Sequence, residues 1–397
     1  MSNGAEFAGI DPSIPGFFLR PDYYDVLAQL RAEPSFVEFV PGQKIISRYH
    51  DIREISRSPE RFCSGRGVLI NDPIREGHAI EGSILHMDPP QHGEWRRILN
   101  REFTARAVAQ MEAGIRSLVR ELLDAVPRGD LVDLVDVLSA PLPVLVIAEL
   151  LGIPPEDRGN FRRWSDATIV ASDGRAAMSA EDQRDVMELV TYLDEHARRQ
   201  AANPGEDIVS LLVQSEVEGR ALSPGELVTF NMSLLVAGNE TTRHLISGGV
   251  LAFAEHPDQW TALREQPAAM GGAVEEMLRW VTPIQQFARN VVADTEVGGV
   301  PVQAGDYLVM LYASGNRDEA AFGPTADRFD AFRPVTVPNL AFGFGEHLCL
   351  GAALARLEAR IVFEELASRV ERFELAGEPE WLASSLVRGP HSVPVRF

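Results

Sequence analysis

One ten-residue stretch carries the side chains of this chain that are best suited to chemistry. Residues 342–351 read Phe-Gly-Phe-Gly-Glu-His-Leu-Cys-Leu-Gly, and Cys349 is one of only two cysteines in 397 residues. The stretch runs directly into a predicted helix from Gly351 to Val370. Backbone N–H groups and the positive end of a helix dipole both stabilise a thiolate. A thiolate in such a loop can act as a nucleophile or as a metal ligand, and haem iron is one metal bound this way.

A second chemically unusual stretch lies inside a long predicted helix from Ser223 to about Glu255. The helix begins with Ser-Pro-Gly-Glu at 223–226, which is a capping box with proline at the first helical position. Its middle, 237–242, reads Ala-Gly-Asn-Glu-Thr-Thr, which combines poor helix formers with a carboxylate in an otherwise apolar run. Residues that disfavour a helix inside an otherwise strong helix are often retained for a function. The alternative interpretation is a solvent-facing turn of the long helix.

Two charged pairs are candidates for holding or bracing a bound anion, although neither is specific alone. His92 and Arg96 stand one predicted helical turn apart, a spacing that suits a carboxylate and also an ordinary surface pair. Glu276 and Arg279 have the i,i+3 spacing of an ion pair, which recurs elsewhere in the chain. A zinc site is poorly supported, because Cys63 stands alone and no Cys-x-x-Cys pattern occurs.

The elements that must position these residues are mostly helical. A β-hairpin is predicted over 36–48 around a Pro-Gly turn, and a second β-rich patch over 296–311. A helix is predicted behind Thr104 as far as Leu122, and another from Pro141 to Leu151. The pattern of the polar stretch 156–203 does not clearly predict a helix or a strand. Because no repeat or Gly/Ser linker occurs, we predict one large domain over 1–397.

Composition excludes several classes of partner. The net charge of −21 disfavours nucleic acid and anionic membrane surfaces. No window approaches the ~20 apolar residues of a membrane span, and the first residues lack the basic and apolar regions of a secretory signal. Two cysteines do not form a disulfide framework. We therefore predict a cytoplasmic protein without a membrane anchor.

Taken together and in this order, the pieces closely resemble the cytochrome P-450 monooxygenase family. The resemblance covers nearly the whole chain, from the hairpin to residues 393–397, and includes the central-helix motif and the Glu276/Arg279 pair. The cysteine loop is its most specific part, and six positions fall on the family pattern: Phe342, Gly343, Gly345, His347, Cys349 and Gly351. It implies a mainly α fold, a helix-rich triangular prism with small β-sheets. Haem b (iron protoporphyrin IX) would lie between the long central helix and the helix after the cysteine loop.

The resemblance also implies which residues meet the cofactor. Cys349 would be the proximal thiolate ligand of the haem iron. Gly345 and Gly351 would let the backbone approach the porphyrin, and Ala237 and Gly238 would leave room for dioxygen in a kinked helical turn. The propionates would be held by His92, Arg96, Arg289 and His347. Phe342 would pack against the ring near the sulfur, and Gly343 is a further cofactor-binding residue of the loop.

Roles beyond cofactor binding follow from the same resemblance. Glu240 and Thr241 match the family's acid–alcohol pair, which delivers the protons needed for O–O cleavage. Glu276 and Arg279 would form a buried ion-pair network with an arginine of 327–333. Arg333 is the favoured third member, and Arg328 is the alternative.

The function implied is a monooxygenase that oxidises a small apolar or amphipathic molecule with O2. Electrons would come from NAD(P)H through a separate reductase and a ferredoxin or flavodoxin, and the chain is expected to act as a monomer. A peroxide-driven hydroxylase and a non-catalytic haem ligand-binding protein are the alternatives, and neither needs the acid–alcohol pair. The substrate is open; its pocket is expected to involve segments 68–84 and 162–177 and the residues Leu234, Leu235, Ile284, Gln285, Leu386 and Val387.

Overall fold

The structure, a computed structural model, describes residues 9–78, 80–127, 129–172 and 178–396. The described residues form two compact units. The first unit draws on 9–78, 272–349 and 381–389, and the second on the remaining residues. The single domain over 1–397 stays a prediction.

Helices make up most of the second unit, whereas the first unit combines helices with a sheet. The α-helices are α1 (Tyr23–Ala32), α2 (Tyr49–Arg57), α3 (Gln91–Leu99), α4 (Ala105–Ala109), α5 (Glu112–Asp124), α6 (Pro141–Leu150), α7 (Arg158–Ser172), α8 (Ala180–Ala202), α9 (Ile208–Val213), α10 (Pro224–Glu255), α11 (Pro257–Glu265), α12 (Met270–Val281), α13 (Tyr312–Gly315), α14 (Glu319–Phe322) and α15 (Ala352–Arg369). Short 3-10 helices span Phe17–Leu19, Pro73–Glu76, Ile84–His86, Pro155–Asp157, Pro267–Ala269 and Gly345–His347, and a π-helical turn spans Val135–Ser139.

The strands are short. They are β1 (Val37–Val40), β2 (Gln43–Ile46), β3 (Phe62–Cys63), β4 (Leu131–Asp133), β5 (Glu216–Val217), β6 (Arg220–Ala221), β7 (Gln286–Val291), β8 (Thr295–Val297), β9 (Val300–Val302), β10 (Tyr307–Leu311), β11 (Glu374–Leu375), β12 (Glu380–Trp381), β13 (Pro390–Ser392) and β14 (Pro394–Arg396). The hairpin predicted over 36–48 is confirmed as β1 and β2, and the second β-rich patch as β8, β9 and β10.

A five-stranded sheet organises the first unit, in the order β1-β2-β10-β7-β3. Strand β10 pairs in parallel with β2 and antiparallel with β7, so it lies at the centre of the sheet. Its five residues are all buried, and alternate side chains enter two different apolar clusters. Val309 belongs to the cluster beneath α1, whereas Leu308 and Met310 belong to the cluster beneath α2. Burial on both faces explains why β10 is continuously apolar rather than alternating.

The long helix α10 organises the second unit. It contacts α6, α7, α8, α9, α11 and α15, and over half of its residues are buried. Near its carboxyl end an aromatic cluster joins it to α11 and α15. The ring of Phe253 lies 5.1 Å from that of Trp260 and 5.8 Å from that of Phe363, measured between centroids. The Trp260 ring also lies 4.7 Å from that of Phe373, with the planes tilted by 45°, and its indole N–H donates to the Val370 carbonyl oxygen.

The start of α10 is capped as the sequence predicts. The Ser223 hydroxyl accepts the Glu226 backbone N–H at 3.2 Å, and the Glu226 carboxylate accepts the Ser223 N–H at 2.7 Å. Arg220 adds two bonds to the same carboxylate, at 2.7 and 2.6 Å. The Arg220 guanidinium, followed by the Ser223 backbone, lowers the pKa of Glu226 from 4.5 to about 2. The ionised form is therefore favoured by folding.

This capping carboxylate has a consequence for stability at acidic pH. Because its folded pKa is depressed, its contribution is fully present above about pH 4.5 and is lost as pH falls toward about 2. We expect Glu226→Gln to lower the free energy of unfolding near neutral pH, and this difference from the wild type should shrink across that window. Urea unfolding as a function of pH measures it. Glu181→Gln, an exposed acid in the first turn of α8, is the matched control; a Glu226→Gln difference that is constant with pH would contradict the assignment.

Two predicted elements differ from the structure. The helix predicted behind Thr104 is capped by the Thr104 hydroxyl, but it divides into α4 and α5. Tight i→i+3 bonds from the Gln110 and Met111 N–H groups close α4, and apolar spacing does not register such a break. The polar stretch 156–203, whose pattern predicts no clear element, contains the two long helices α7 and α8.

Among the described residues, no helix combines the length and the apolar character needed to cross a bilayer.

Candidate active site

The cysteine loop belongs to the first unit and is folded by its own backbone. The Cys349 N–H donates to the Phe342 carbonyl oxygen at 2.9 Å, and the Gly343 N–H donates to the Leu340 carbonyl oxygen at 2.9 Å. Gly343 and Gly345 adopt φ angles of +68° and +76°, which glycine tolerates without strain. The closed loop presents Cys349 as an exposed residue, and α15 begins three residues later.

Gly345 is required by packing inside the first unit. A Cβ atom on Gly345 would overlap the Ser56 carbonyl oxygen and lie 2.7 Å from the carbonyl carbon, at the end of α2. Neither is a flexible side-chain end that moves away at low cost. The neighbouring Phe344 ring lies beneath the Arg53 and Arg57 guanidinium groups, at 4.1 and 4.5 Å. Gly345 thus lets the loop dock on α2, and its role in the approach to a porphyrin stays a prediction.

Arg289 and His347 are the cationic candidates of the first unit. Arg289 lies on β7 opposite Leu308, is 6% exposed, and donates to the adjacent Ala288 carbonyl oxygen at 2.7 Å. No carboxylate of the described residues lies within 4.0 Å of its guanidinium. A buried guanidinium without a carboxylate partner is costly, so its surroundings suit an anionic group such as a propionate. The His347 Nε2 atom lies 3.2 Å from the Ser64 hydroxyl.

The ion-pair network of the first unit is buried and complete. Arg279 and Glu276 form two parallel bonds of 2.7 Å, with side chains 2% and 1% exposed. Arg333 Nε lies 3.1 Å from the same carboxylate. The remaining Arg279 N–H groups donate to three backbone carbonyl oxygens, those of Asn316, Ala326 and Arg328. The structure thus brings Arg333 to Glu276, whereas Arg328 contributes its backbone.

The candidate pocket residues of the first unit differ in whether their side chains are already bonded within the protein. Ile284 and Val387 form an isolated β-bridge, and the Gln285 N–H donates to the Leu386 carbonyl oxygen at 2.8 Å. The Gln285 side chain is 1% exposed and already bonded: it accepts from the Tyr23 hydroxyl at 2.7 Å and donates to the Thr282 carbonyl oxygen. The prediction that Gln285 lines the pocket is wrong, since its amide is committed to joining α1 to the end of α12.

In the second unit, α3 carries the pair predicted to hold an anion. His92 is 3% exposed and Arg96 is half-buried one turn later. Between them Trp95 stacks on Phe230 of α10, with ring centroids 5.8 Å apart and planes at 27°. This stacking fixes the rotation of α3 and hence the side on which His92 and Arg96 emerge.

The middle of α10 has one open face. Ala237 is exposed and Thr241 is half-buried one turn later, and the Thr241 hydroxyl donates to the Ala237 carbonyl oxygen at 2.8 Å. Such a bond to the preceding turn often bends a helix. The element is nevertheless α-helical throughout its 32 residues. Leu234 on this helix is half-buried, and Leu235 is fully buried.

Gly238 faces a protein neighbour rather than the open face. A Cβ atom on Gly238 would lie 2.6 Å from Ile147 Cδ1 and 2.8 Å from Ile147 Cγ1, on α6. The glycine therefore permits close packing of α6 against α10. The expectation that Gly238 leaves room for dioxygen stays a prediction, and Ala237 is the small residue on the open face.

Glu240 lies in the buried interior of the second unit. It is 5% exposed, and its Oε1 atom lies 3.6 Å from Nε2 of His244, which is 1% exposed. Asn239, beside it, donates to the Ser165 hydroxyl of α7 at 2.7 Å. Sequence reasoning did not single out His244. A histidine four residues after a carboxylate in an apolar helix was the signal that could have found it.

The predicted site residues thus fall into two sets, one in each unit. The first unit holds Ile284, Gln285, Arg289, Phe342, Gly343, His347, Cys349, Leu386 and Val387, together with Glu276, Arg279 and Arg333. The second holds His92, Arg96, Leu234, Leu235, Ala237, Gly238, Glu240, Thr241 and Gly351, the last as N-cap of α15. Of the predicted pocket segments, residues 79 and 173–177 lie outside the described residues.

Comparison with known proteins gives a uniform result. The sequence model of the family described as Cytochrome P-450 matches residues 167–380. Linalool 8-monooxygenase of Pseudomonas putida is 35% identical over 390 residues, covering 94% of this chain and 95% of that protein. A steroid C26-monooxygenase of Mycobacterium tuberculosis is 37% identical, covering 90% and 95%. A Mycobacterium marinum cytochrome P-450 solved with pseudoionone superimposes with a TM-score of 0.89 at 33% identity, covering 98% of both chains.

The fold and the relatives define a haem-thiolate oxygenase. The chain belongs to the cytochrome P-450 family, and it is a monooxygenase, an oxidoreductase that incorporates oxygen from O2. Its cofactor is haem b, whose iron activates dioxygen for transfer to a substrate when bound. The exposed Cys349 and the buried Arg289 without a carboxylate partner both fit this group.

Proposed function

We propose that this enzyme oxidises an apolar or amphipathic small molecule with O2 and electrons from NAD(P)H. A ferredoxin or flavodoxin with its own reductase supplies the electrons. The observation that carries this proposal is the acid–alcohol pair on α10: a buried Glu240 beside a half-buried Thr241. An enzyme driven by peroxide receives its oxygen already carrying protons and does not need such a pair, whereas one that reduces O2 does.

The side chains divide the work of binding. Cys349 serves as the thiolate ligand, with Phe342, Gly343 and Gly351 along its loop. The propionates of the cofactor are held by charge-assisted bonds from Arg289, His347, His92 and Arg96. Support comes from the burial of Arg289, which has no carboxylate partner among the described residues, since a buried cationic group needs an anionic partner.

Proton delivery is the task of the α10 pair. The Thr241 hydroxyl donates to the Ala237 carbonyl oxygen, so its lone pairs remain able to accept a bond from water. Thr241 can thereby hold a water molecule at the open face of the helix. Glu240, protected from solvent, exchanges a proton with that water and so relays protons one at a time.

The substrate class rests on the apolar side chains offered for the pocket. Leu234, Ile284, Leu386 and Val387 provide no charge, and Gln285 is committed elsewhere. Two relatives are named for the oxidation of linalool and of a steroid. We place the substrate of this enzyme among terpenoid-like or steroid-like molecules. The enzyme acts as a monomer in the cytoplasm, where NAD(P)H and reduced ferredoxins are found.

The proposal is tested by binding and by reconstitution. Linalool, pseudoionone, a steroid and a long-chain fatty acid are titrated into the ferric enzyme, and the displacement of water from iron is followed by the Soret shift. The tightest binder is then incubated with NADPH, ferredoxin, ferredoxin reductase and isotopically labelled O2. Labelled product that depends on all components supports the proposal. Equally fast product formation from hydrogen peroxide alone would overturn it.

Thr241→Ala gives a direct measure of proton delivery. We expect product per NADPH to fall about tenfold or more, with hydrogen peroxide released instead, since a positioned proton donor contributes on the order of 10²–10⁴. NADPH consumption, peroxide and product are measured together. Thr242→Ala, at a buried neighbouring position, is the matched control and should remain coupled. Retained coupling in Thr241→Ala would remove the assigned role.

A further inference from the structure

A buried acid and a buried histidine share one stretch of α10. Glu240 Oε1 and both ring nitrogens of His244 lie away from solvent, and none has a hydrogen-bond partner in the described part of the chain. The two side chains are 7% and 1% exposed, and Oε1 lies 3.6 Å from Nε2. The i,i+4 spacing keeps them neighbours as long as the helix is intact.

In the part of the chain that the structure describes, no basic residue other than His244 supplies a charge within 4.0 Å of the Glu240 carboxylate. Its helical neighbours Gly238 and Asn239 meet Ile147 and the Ser165 hydroxyl. One turn after His244, the Ser247 hydroxyl lies 2.7 Å from that of Ser139 in the π-helical turn.

Arg243, also close along the helix, does not supply that charge either. Its guanidinium is directed at the His391 carbonyl oxygen. Among the described residues, His244 is the basic group within ion-pair distance of Glu240.

We propose that His244 is a positioning residue for the proton-delivery acid: its imidazole shares one proton with the buried Glu240 carboxyl and fixes the direction of that carboxyl. This inference rests on the proposed role of Glu240 and Thr241. An isolated buried carboxylate is costly, and a partner that accepts or donates one proton removes most of that cost. Oε1 is held toward His244, which leaves Oε2 for proton exchange with water.

The proton balance of the pair is simple. With one proton, the pair is neutral, either as carboxylic acid and imidazole or as carboxylate and imidazolium. When the acid releases its proton toward the water held by Thr241, a carboxylate remains. The next proton taken up from water restores the neutral pair on either site. No bond other than O–H and N–H is formed or broken, and no electrons are transferred.

A thermodynamic cycle tests the contact without any substrate. Glu240→Gln, His244→Leu and the double variant are unfolded by urea in the ferric, haem-loaded enzyme. We expect strong non-additivity, because the two residues form one unit. A matched cycle of Glu240→Gln with His196→Leu should be additive, since His196 is equally buried but bonds the Leu151 carbonyl oxygen. If the first cycle is also additive, the pair does not exist and the proposal falls.

Coupling then tests the role in the reaction, with the tightest binder of the titration as probe. We expect His244→Leu to lower product per NADPH several-fold while His244→Gln, which keeps a donor, recovers part of it. In a Glu240→Gln background, His244→Leu should cause no further loss. Iodosylbenzene, which delivers oxygen without protons, should support equal turnover of wild type and His244→Leu. Independent losses from the two substitutions, or a matching loss with iodosylbenzene, would overturn the proposal.

The outcomes separate this inference from the proposed function. If Thr241→Ala remains coupled, the proton-delivery function itself is wrong. If Thr241→Ala uncouples while His244→Leu remains as coupled as the wild type, only the role of His244 is wrong. Should His244→Leu fail to fold, His244→Gln replaces it in both measurements.

Discussion

Replacement of Cys349 by serine is expected to abolish monooxygenase activity and to remove the red-shifted Soret band of the reduced carbonyl complex. A serine hydroxyl is far less easily ionised than a thiol and is a harder ligand, so the electron donation that favours O–O cleavage is lost. The loop itself should survive, because its fold depends on backbone bonds such as Cys349 N–H to the Phe342 carbonyl oxygen.

The chain offers a matched control for this substitution. Cys63, the other cysteine, is buried on β3 and pairs with β7 through Asn290. Cys63→Ala should keep the red-shifted band at full intensity, with at most a modest loss of stability. A Cys349→Ser protein that retains the band would show that another residue supplies the sulfur ligand. If Cys63→Ala then lost the band, Cys63 would be that ligand.

Arg279→Met is expected to be the most destabilising substitution in the first unit. It leaves the buried Glu276 carboxylate with the Arg333 guanidinium at 3.1 Å and the Asp330 N–H at 2.9 Å as partners, and it removes the Arg279 donors from the Asn316 and Ala326 carbonyl oxygens. Breaking a buried pair by removing one partner costs about 3–5 kcal/mol. Since whole domains are stable by only about 5–15 kcal/mol, the yield of folded, haem-loaded protein should fall sharply. Urea unfolding of whatever folds measures the loss.

Substitutions of two neighbouring arginines should cause smaller losses of stability than Arg279→Met. Arg333→Met removes the 3.1 Å bond to Glu276 together with bonds to Phe322, Thr325 and Arg328. The Arg333 side chain is 11% exposed and Arg279 still pairs with Glu276, so the loss should be smaller than for Arg279→Met. Arg328 is exposed and contributes only its backbone carbonyl oxygen, so Arg328→Met should change stability by no more than about 0.5 kcal/mol. The order Arg279, Arg333, Arg328 follows from the geometry. An effect of Arg328→Met equal to that of Arg333→Met would contradict it.

Local patterns in the sequence were sufficient for several elements. The capping box at Ser223 and Glu226, the hairpin turn after Val40 and the end of α6 before Gly152 all lie where the sequence predicts. Each depends on groups within about four residues along the chain, so neighbours in sequence contain the whole interaction. The break between α4 and α5 escaped prediction, because an i→i+3 closure leaves apolar spacing almost unchanged.

The amino-acid sequence by itself determined which chemistry this chain can support: a cysteine in a glycine-rich loop, an acid and an alcohol in an apolar helix, and the family that combines them. Only the tertiary structure decided why particular residues are there. Gly345 and Gly238 are small because Ser56 and Ile147, distant in the chain, pack against them. Gln285 is committed to Tyr23, and Glu240 is enclosed with His244. Burial and long-range contacts set these roles, and both arise only when distant segments pack together.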